Sequence, residues 1–242
     1  MDQGLTVSPT EGVPQGGPLS PLLSNIYLDS LDKELEKRGH KFVRYADDCK
    51  IYVKSERAGG RVMSSISRFI EDRLKLKVNG QKSAVGNPKE RKFLGFVISP
   101  QGECRIEIAK QSLQRFKRRV RELTRRSHRS SSALIAKLSA YLRGWMGYFR
   151  LNEKVQLIDT LDKWIRRRLR VLHLKRWKTP TVRYREFNKL GMKPVDCRFI
   201  THTTARYWYL SGTKAVNFTL NLEYFRRLGL FFMLDCYELK SN

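Results

Sequence analysis

Cysteine and histidine are scarce and scattered. The 242 residues hold four of each, Cys49, Cys104, Cys197 and Cys236, and His40, His128, His173 and His202. There is no Cys-x-x-Cys pair, so the spacing speaks against both a zinc site and a disulfide framework and suits a reducing compartment. No run of about eighteen apolar residues is present, which argues against a membrane-spanning helix. Met1 is followed by Asp2-Gln3-Gly4, without the pattern of a signal peptide. Acids are also short, but only locally. Residues 110–190 carry 5 Asp/Glu against 24 Lys/Arg, which concentrates +19 of the chain's +26 in one block.

A field of that size self-repels unless a polyanion neutralises it, and nucleic acid fits best. An anionic membrane is the rival, but the block carries large aromatics at packing positions. With 40% hydrophobic and 11% aromatic residues, the chain has the material for one large domain or two small ones. The whole reads as a soluble, cytoplasmic protein without a membrane partner.

At the centre of the pattern stands Phe42-Val-Arg-Tyr-Ala-Asp-Asp-Cys-Lys-Ile-Tyr-Val53. Apolar and β-branched residues flank Asp47 and Asp48, which predicts two strands with the acidic pair at the bend. Adjacent carboxylates repel, and a magnesium ion held by one or two carboxylates plus phosphate relieves that repulsion. An ordinary turn that uses Asp for its turn propensity has the same local pattern.

Upstream, Gln15-Gly16-Gly17-Pro18-Leu19 leads to Ser20 as an expected N-cap with Pro21 at the first helical position. Leu23, Tyr27 (or Ile26) and Leu31 predict the buried stripe of a helix to about Arg38. The Gly-Gly pair reads either as a plain loop or as backbone that a nucleotide approaches closely. Downstream, Val62 to Leu74 repeat at helical spacing, and Leu74–Val78 alternate like a strand turning at Asn79-Gly80. Phe93–Ile98 and Cys104–Ile108 predict a second hairpin. From Ala109 on, three amphipathic helices, over 109–126, 131–150 and 153–172, predict a bundle with basic outer faces. Its arginines, among them Arg118, Arg119, Arg125, Arg126, Arg166, Arg167, Arg168 and Arg170, form either a solvated face or phosphate contacts, and the block charge favours phosphate. Tyr141, Trp145 and Tyr148 read as core rather than as base-stacking platforms. Residues 175–180 read as a linker, and 181–242 as a small, mostly helical module. The fold class is α+β: hairpins plus helices, then a helical bundle.

Taken in order, Gln15-Gly16-Gly17-Pro18-Leu19-Ser20-Pro21-Leu22, Tyr45-Ala46-Asp47-Asp48 and Phe93-Leu94-Gly95-Phe96 resemble the palm motifs of reverse transcriptases. Leu142-Arg-Gly-Trp145, Tyr148-Phe149-Arg150, Leu161-Asp-Lys-Trp164-Ile-Arg-Arg-Arg168 and Tyr224–Leu234 narrow the resemblance to bacterial group II intron-encoded reverse transcriptase/maturases. It implies a partial palm over 1–108, a thumb or maturase X domain over 109–175 and a DNA-binding-like region over 176–242. Asp47 would ligate catalytic Mg2+, with Asp48 beside it. Gln15, Gly16, Gly17, Tyr45 and Lys82 would border the nucleotide and template, and Phe93, Leu94, Gly95 and Phe96 would grip the primer.

The implied activity is RNA-directed DNA synthesis with intron maturation, in a ribonucleoprotein particle. Intron RNA, an RNA template–DNA primer duplex and deoxynucleoside triphosphates would be the partners. The sequence departs from the family in one respect: the upstream Asp-bearing palm strand and the fingers have no counterpart before Gln15. The expectation is therefore a truncated frame, a split half or an excerpt that needs a finger–palm segment. The alternative is a non-catalytic RNA-binding maturase remnant.

Overall fold

A computed structural model describes residues 18–99, 104–125 and 131–238. Contacts divide the chain into two units, residues 1–93 and 94–242. Gln15, Gly16, Gly17 and Arg126 lie outside the described residues.

The first unit begins with α1 (Ser20–Lys37), whose N-cap is Leu19, with no side-chain cap bond. Ser20, the expected cap, is its first helical residue. Pro21 is tolerated beside it because first-turn N–H groups have no partner inside the helix. The buried stripe is Leu28, Leu31 and Leu35. The expected contributions of Leu23, Ile26 and Tyr27 fail, since all three are exposed in this unit. Among the described residues, the C-terminal half of α1 packs against α2 (Glu56–Arg73) and against Phe42, Cys49 and Ile51, which lie between the two helices.

Between the helices, β1 (Lys41–Tyr45) and β2 (Asp48–Tyr52) form an antiparallel hairpin with Tyr45 opposite Asp48. Its two faces alternate as strand geometry requires. Phe42, Cys49 and Ile51 pack on the helices, while Val43, Tyr45 and Asp48 stay exposed. Ser55 caps α2 by accepting the Ala58 N–H at 3.2 Å. The strand expected at Leu74–Val78 does not form. No neighbouring strand offers it a ladder among the described residues, and Lys75 turns to φ +52°.

In the second unit β3 (Phe96–Ser99) pairs with β4 (Arg105–Ile108), and α3 (Lys110–Leu123), α4 (Ser131–Phe149) and α5 (Val155–Arg176) follow. The expected bundle is present, with α5 running four residues past its predicted end. The hairpin belongs to this bundle: the Glu153 N–H donates to the Ile106 carbonyl at 2.9 Å, and the Ile106 N–H to Glu153 Oε2 at 2.7 Å. Phe116 and Trp145 pack with ring centroids 4.2 Å apart. Tyr141 and Trp145 are partly buried against the core, as expected, whereas Tyr148 is exposed.

After the short link Trp177–Thr179 come α6 (Pro180–Lys189), α7 (Pro194–His202), α8 (Tyr207–Leu210), α9 (Lys214–Thr219), α10 (Leu222–Arg227) and α11 (Asp235–Glu238). They share one core with α3–α5, running from Ile108 to Met233. Each fully buried side chain of the size of Phe116, Phe187 or Phe225 is worth about 1.5–3 kcal/mol of transfer free energy. Among the described residues no helix is long and apolar enough to cross a membrane.

Candidate active site and nucleic-acid interface

The acidic pair closes β1–β2 through a two-residue turn, Ala46-Asp47. Ala46 sits at φ +52°, the left-handed setting that the tightest hairpin turns demand at their first position. For an alanine this costs roughly 1–2 kcal/mol, so something must hold it. Arg44 does. Its Nη1 donates to the Ala46 carbonyl at 2.9 Å and to Asn25 Oδ1 at 3.1 Å. Its Nε and Nη2 form a two-pronged bond to the Asp32 carboxylate at 2.7 and 2.5 Å. The bond to Asp32 is the main cause that raises the Arg44 pKa above its ordinary value. The turn is thereby tied to two positions on α1, while both Asp47 and Asp48 remain exposed.

Among the described residues no third His, Cys, Asp or Glu joins the pair in a metal-holding group. Two carboxylates fit a magnesium ion whose other positions are taken by phosphate and water. They do not by themselves make a closed protein cage. Tyr45 is opposite Asp48 and 63% exposed, so an aromatic ring stands beside that carboxylate on the open face. Lys82 is exposed beyond α2, its backbone N–H accepted by Asn79 Oδ1 at 3.1 Å.

The Phe93–Phe96 segment turns through two consecutive left-handed residues, Leu94 at φ +49° and Gly95 at +80°. Here glycine is required twice over. A Cβ at Gly95 would lie 3.1 Å from Ser112 Oγ and 3.2 Å from the Phe149 ring. The Gly95 carbonyl accepts the Ala109 N–H at 2.9 Å and the Ser112 hydroxyl at 3.0 Å. The Tyr148 hydroxyl donates to the Leu94 carbonyl at 2.9 Å, and its ring stacks on Phe96 at 6.0 Å. The exposed Leu94 tip therefore stands on a rigid base.

The arginines divide into two kinds. Arg118, Arg119 and Arg125 are exposed along α3 and just beyond it. The row on α5 is not one solvent-facing face. Arg166 lies over Phe232 at 5.7 Å, and Arg167 over Trp208 at 4.4 Å, donating to the Trp208 carbonyl at 3.0 Å. Arg168 gives both Nε and Nη2 to Thr124 Oγ1 at 3.0 and 2.8 Å. Arg170 is buried and donates to the Leu220 carbonyl at 2.8 Å, and burial lowers its pKa to about 10.

Arg44, with Asp32 and Asn25, escaped the sequence reading. A signal was there. Arg44 shares the inward phase of β1 with Phe42, and a charge at an inward position demands a partner.

The reverse transcriptase (RNA-dependent DNA polymerase) family matches residues 3–98, which include the acidic turn. That part of the chain is a reverse transcriptase domain. The group II intron maturase-specific domain matches residues 113–191, the basic helices. The two matches, in this order, are consistent with a group II intron reverse transcriptase/maturase. It is 30% identical over 145 residues to Protein YkfC of Escherichia coli (strain K12), an alignment covering 44% of this chain and 38% of that protein. It is 25% identical over 141 residues to the Retron Ec86 reverse transcriptase of Escherichia coli, covering 56% and 40%. The chain thus spans about two fifths of the length of these relatives.

Proposed function

We propose that this chain takes part in RNA-directed DNA synthesis and in maturation of a group II intron, in a ribonucleoprotein particle. The observation that carries the reading is the exposed Asp47-Asp48 turn, held in a left-handed setting by Arg44, in a chain whose maturase-specific region concentrates the positive charge. Asp47 and Asp48 would hold magnesium, which when bound stabilises charge on the oxygens of a transferring phosphoryl group. Tyr45, Lys82, Gln15, Gly16 and Gly17 would border nucleotide and template. The rigid Leu94-Gly95 tip would contact the primer. The exposed arginines would bear the phosphates of intron RNA and of the template–primer duplex with sequence-independent affinity.

The exposed apolar residues Leu22, Leu23 and Ile26 of α1 favour a further partner, a finger–palm segment that covers them. That segment would also bring the opposing carboxylate, because Asp47 and Asp48 stand on one tight turn and reach a pair of ions from one side only. In-line transfer needs the reacting groups fixed, and a misplacement of 1 Å costs on the order of a hundredfold. The test is primer extension on an RNA template with magnesium, using the chain alone and then with an added finger–palm fragment. Synthesis is expected only in the mixture, and Asp47→Asn should abolish it. Retained RNA binding with no synthesis in either arm would favour the non-catalytic maturase remnant. Robust synthesis by the chain alone would overturn the need for a partner segment.

A further inference from the structure

Of the four tryptophans, Trp145, Trp164 and Trp177 pack against the core, and Trp208 does not. It stands on α8 and is 45% exposed. Under its ring lies the Arg167 guanidinium, whose carbon is 4.4 Å from the ring centre, the shortest such contact among the described residues. Arg167 is itself clamped. Its Nη2 donates to the Trp208 carbonyl at 3.0 Å and its Nε to the Ser211 hydroxyl at 3.4 Å. It also lies against the backbone of Gly212, where a Cβ would come 3.0 Å from Nη2. The indole therefore rests on a fixed cationic base.

Holding α8 in place does not require that ring. Leu210 is fully buried, and Tyr207 packs against the core. Arg167 and the Ser211 hydroxyl both donate to the carbonyl of residue 208, which any residue would supply. The indole is additional, and its exposed part forgoes the transfer free energy that burial gives the other three.

The surroundings select an occupant. From Cys197 to Leu222 the sequence has no Asp or Glu, while Arg198, Arg206 and Lys214 are all exposed. An aromatic plane in a basic, acid-free stretch matches both the charge and the π-faces of nucleic acid. Only a base whose face is uncovered can lie on such a plane, and within a duplex the neighbouring bases cover both faces. Because Arg167 already holds the ring, little side-chain entropy is lost when a base lands on it.

We infer that Trp208, backed by Arg167, is a stacking platform for one unpaired nucleobase of bound nucleic acid. The inference rests on the nucleic-acid reading above and adds to it a contact that involves no phosphate. Unpaired RNA and DNA present the same chemistry to the ring, so both enter the test.

Anisotropy with the intact chain measures binding of labelled oligouridine and oligothymidine of about ten nucleotides, and of a blunt duplex, each across a salt series. The variants are Trp208→Ala, Trp208→Leu, Trp208→Tyr and Tyr209→Ala, with thermal unfolding followed in parallel. Trp208→Ala should weaken single-strand binding about 5- to 150-fold, the range of base–aromatic stacking. Trp208→Leu should lose nearly as much, and Trp208→Tyr should recover most of it. The slope of log K against log salt should stay unchanged, because no phosphate contact is removed. Blunt-duplex binding should be equal in all variants. Tyr209, 64% exposed on the same helix, serves as the control and should matter far less.

Single-strand affinity that survives Trp208→Ala, or a loss shared equally by the blunt duplex, would overturn the platform and leave the wider reading standing. An equal loss in Tyr209→Ala would overturn the choice of Trp208. A wild type that binds neither single strand nor duplex would sink both readings. A loss confined to RNA or to DNA would support the platform and name its strand. If the Trp208 variants fail to fold, the wild type decides: irradiation with a 5-iodouracil oligomer should crosslink Trp208, and crosslinks only elsewhere would overturn the inference.

Discussion

The carboxylate of Asp162, buried inside α5, accepts the backbone N–H of Leu234 at 3.0 Å, across 72 positions of chain. Burial raises its pKa from 3.8 to about 6, against the lowering effect of the Leu234 and Met233 N–H groups and of Arg166. Eleven residues further along α5, His173 is buried among Trp177, Tyr224 and Phe225, and its pKa falls from 6.5 to about 4, chiefly through burial, with Arg176 adding to it.

The two groups oppose each other in acid. Asp162, raised on folding, contributes stability present below pH 3.8 and lost as pH rises to about 6. His173, lowered on folding, contributes stability present above 6.5 and lost as pH falls to about 4. Between pH 6 and 4 their slopes largely cancel. Asp162→Asn should therefore expose the histidine's share, with unfolding free energy in urea falling by about 1.4 kcal/mol per pH unit more steeply than in the wild type. Parallel curves would refute the assignment.

The Arg44 fork predicts a local dependence. Arg44→Met should cost about 2–3 kcal/mol, the worth of hydrogen bonds to a charged group. Adding Ala46→Gly should recover part of it, because glycine takes φ +52° without the steric cost that the Arg44 bond offsets. Equilibrium denaturation of the single and double variants measures both; no recovery would mean that Arg44 serves the Asp32 contact alone.

Gly95→Ala should destabilise by about 3 kcal/mol, combining a left-handed alanine with crowding against Ser112 and Phe149. The melting temperature should drop, and the effect should shrink when Ser112→Ala is added. An undiminished cost would assign it to the backbone conformation rather than to crowding.

Replacing Arg118, Arg119 and Arg125 with Gln should leave the fold intact, since all three are exposed. The salt slope for duplex binding should fall by about 0.9 for each phosphate that is no longer neutralised. The same substitution at Arg166, Arg167 and Arg168 should instead lower the melting temperature, because their guanidiniums serve Phe232, Trp208 and Thr124. Salt titrations beside melting curves separate the two sets.

Much of the architecture was legible because local pattern and packing agree. The two hairpins and three long helices follow from alternation and helical spacing, and the acidic bend falls where Asp47 and Asp48 predict it. Leu74–Val78 misled because alternation does not supply a partner strand. The α1 stripe misled because Leu23 and Ile26 have the right spacing but no packing layer among the described residues of this unit. The arginines of α5 show the deepest limit: charge count says nothing of which guanidinium finds a carbonyl 50 positions away, as Arg170 does at Leu220.

The continuous core from Ile108 to Met233 bears on inheritance. A recombination point at Trp177 looks natural from sequence, between a maturase bundle and a separable tail. It would part Arg167 from Trp208, Arg170 from Leu220 and Asp162 from Leu234. Grafting a new tail onto this bundle would require carrying those α5 residues across with it, so the bundle and its tail are constrained to diverge as one unit.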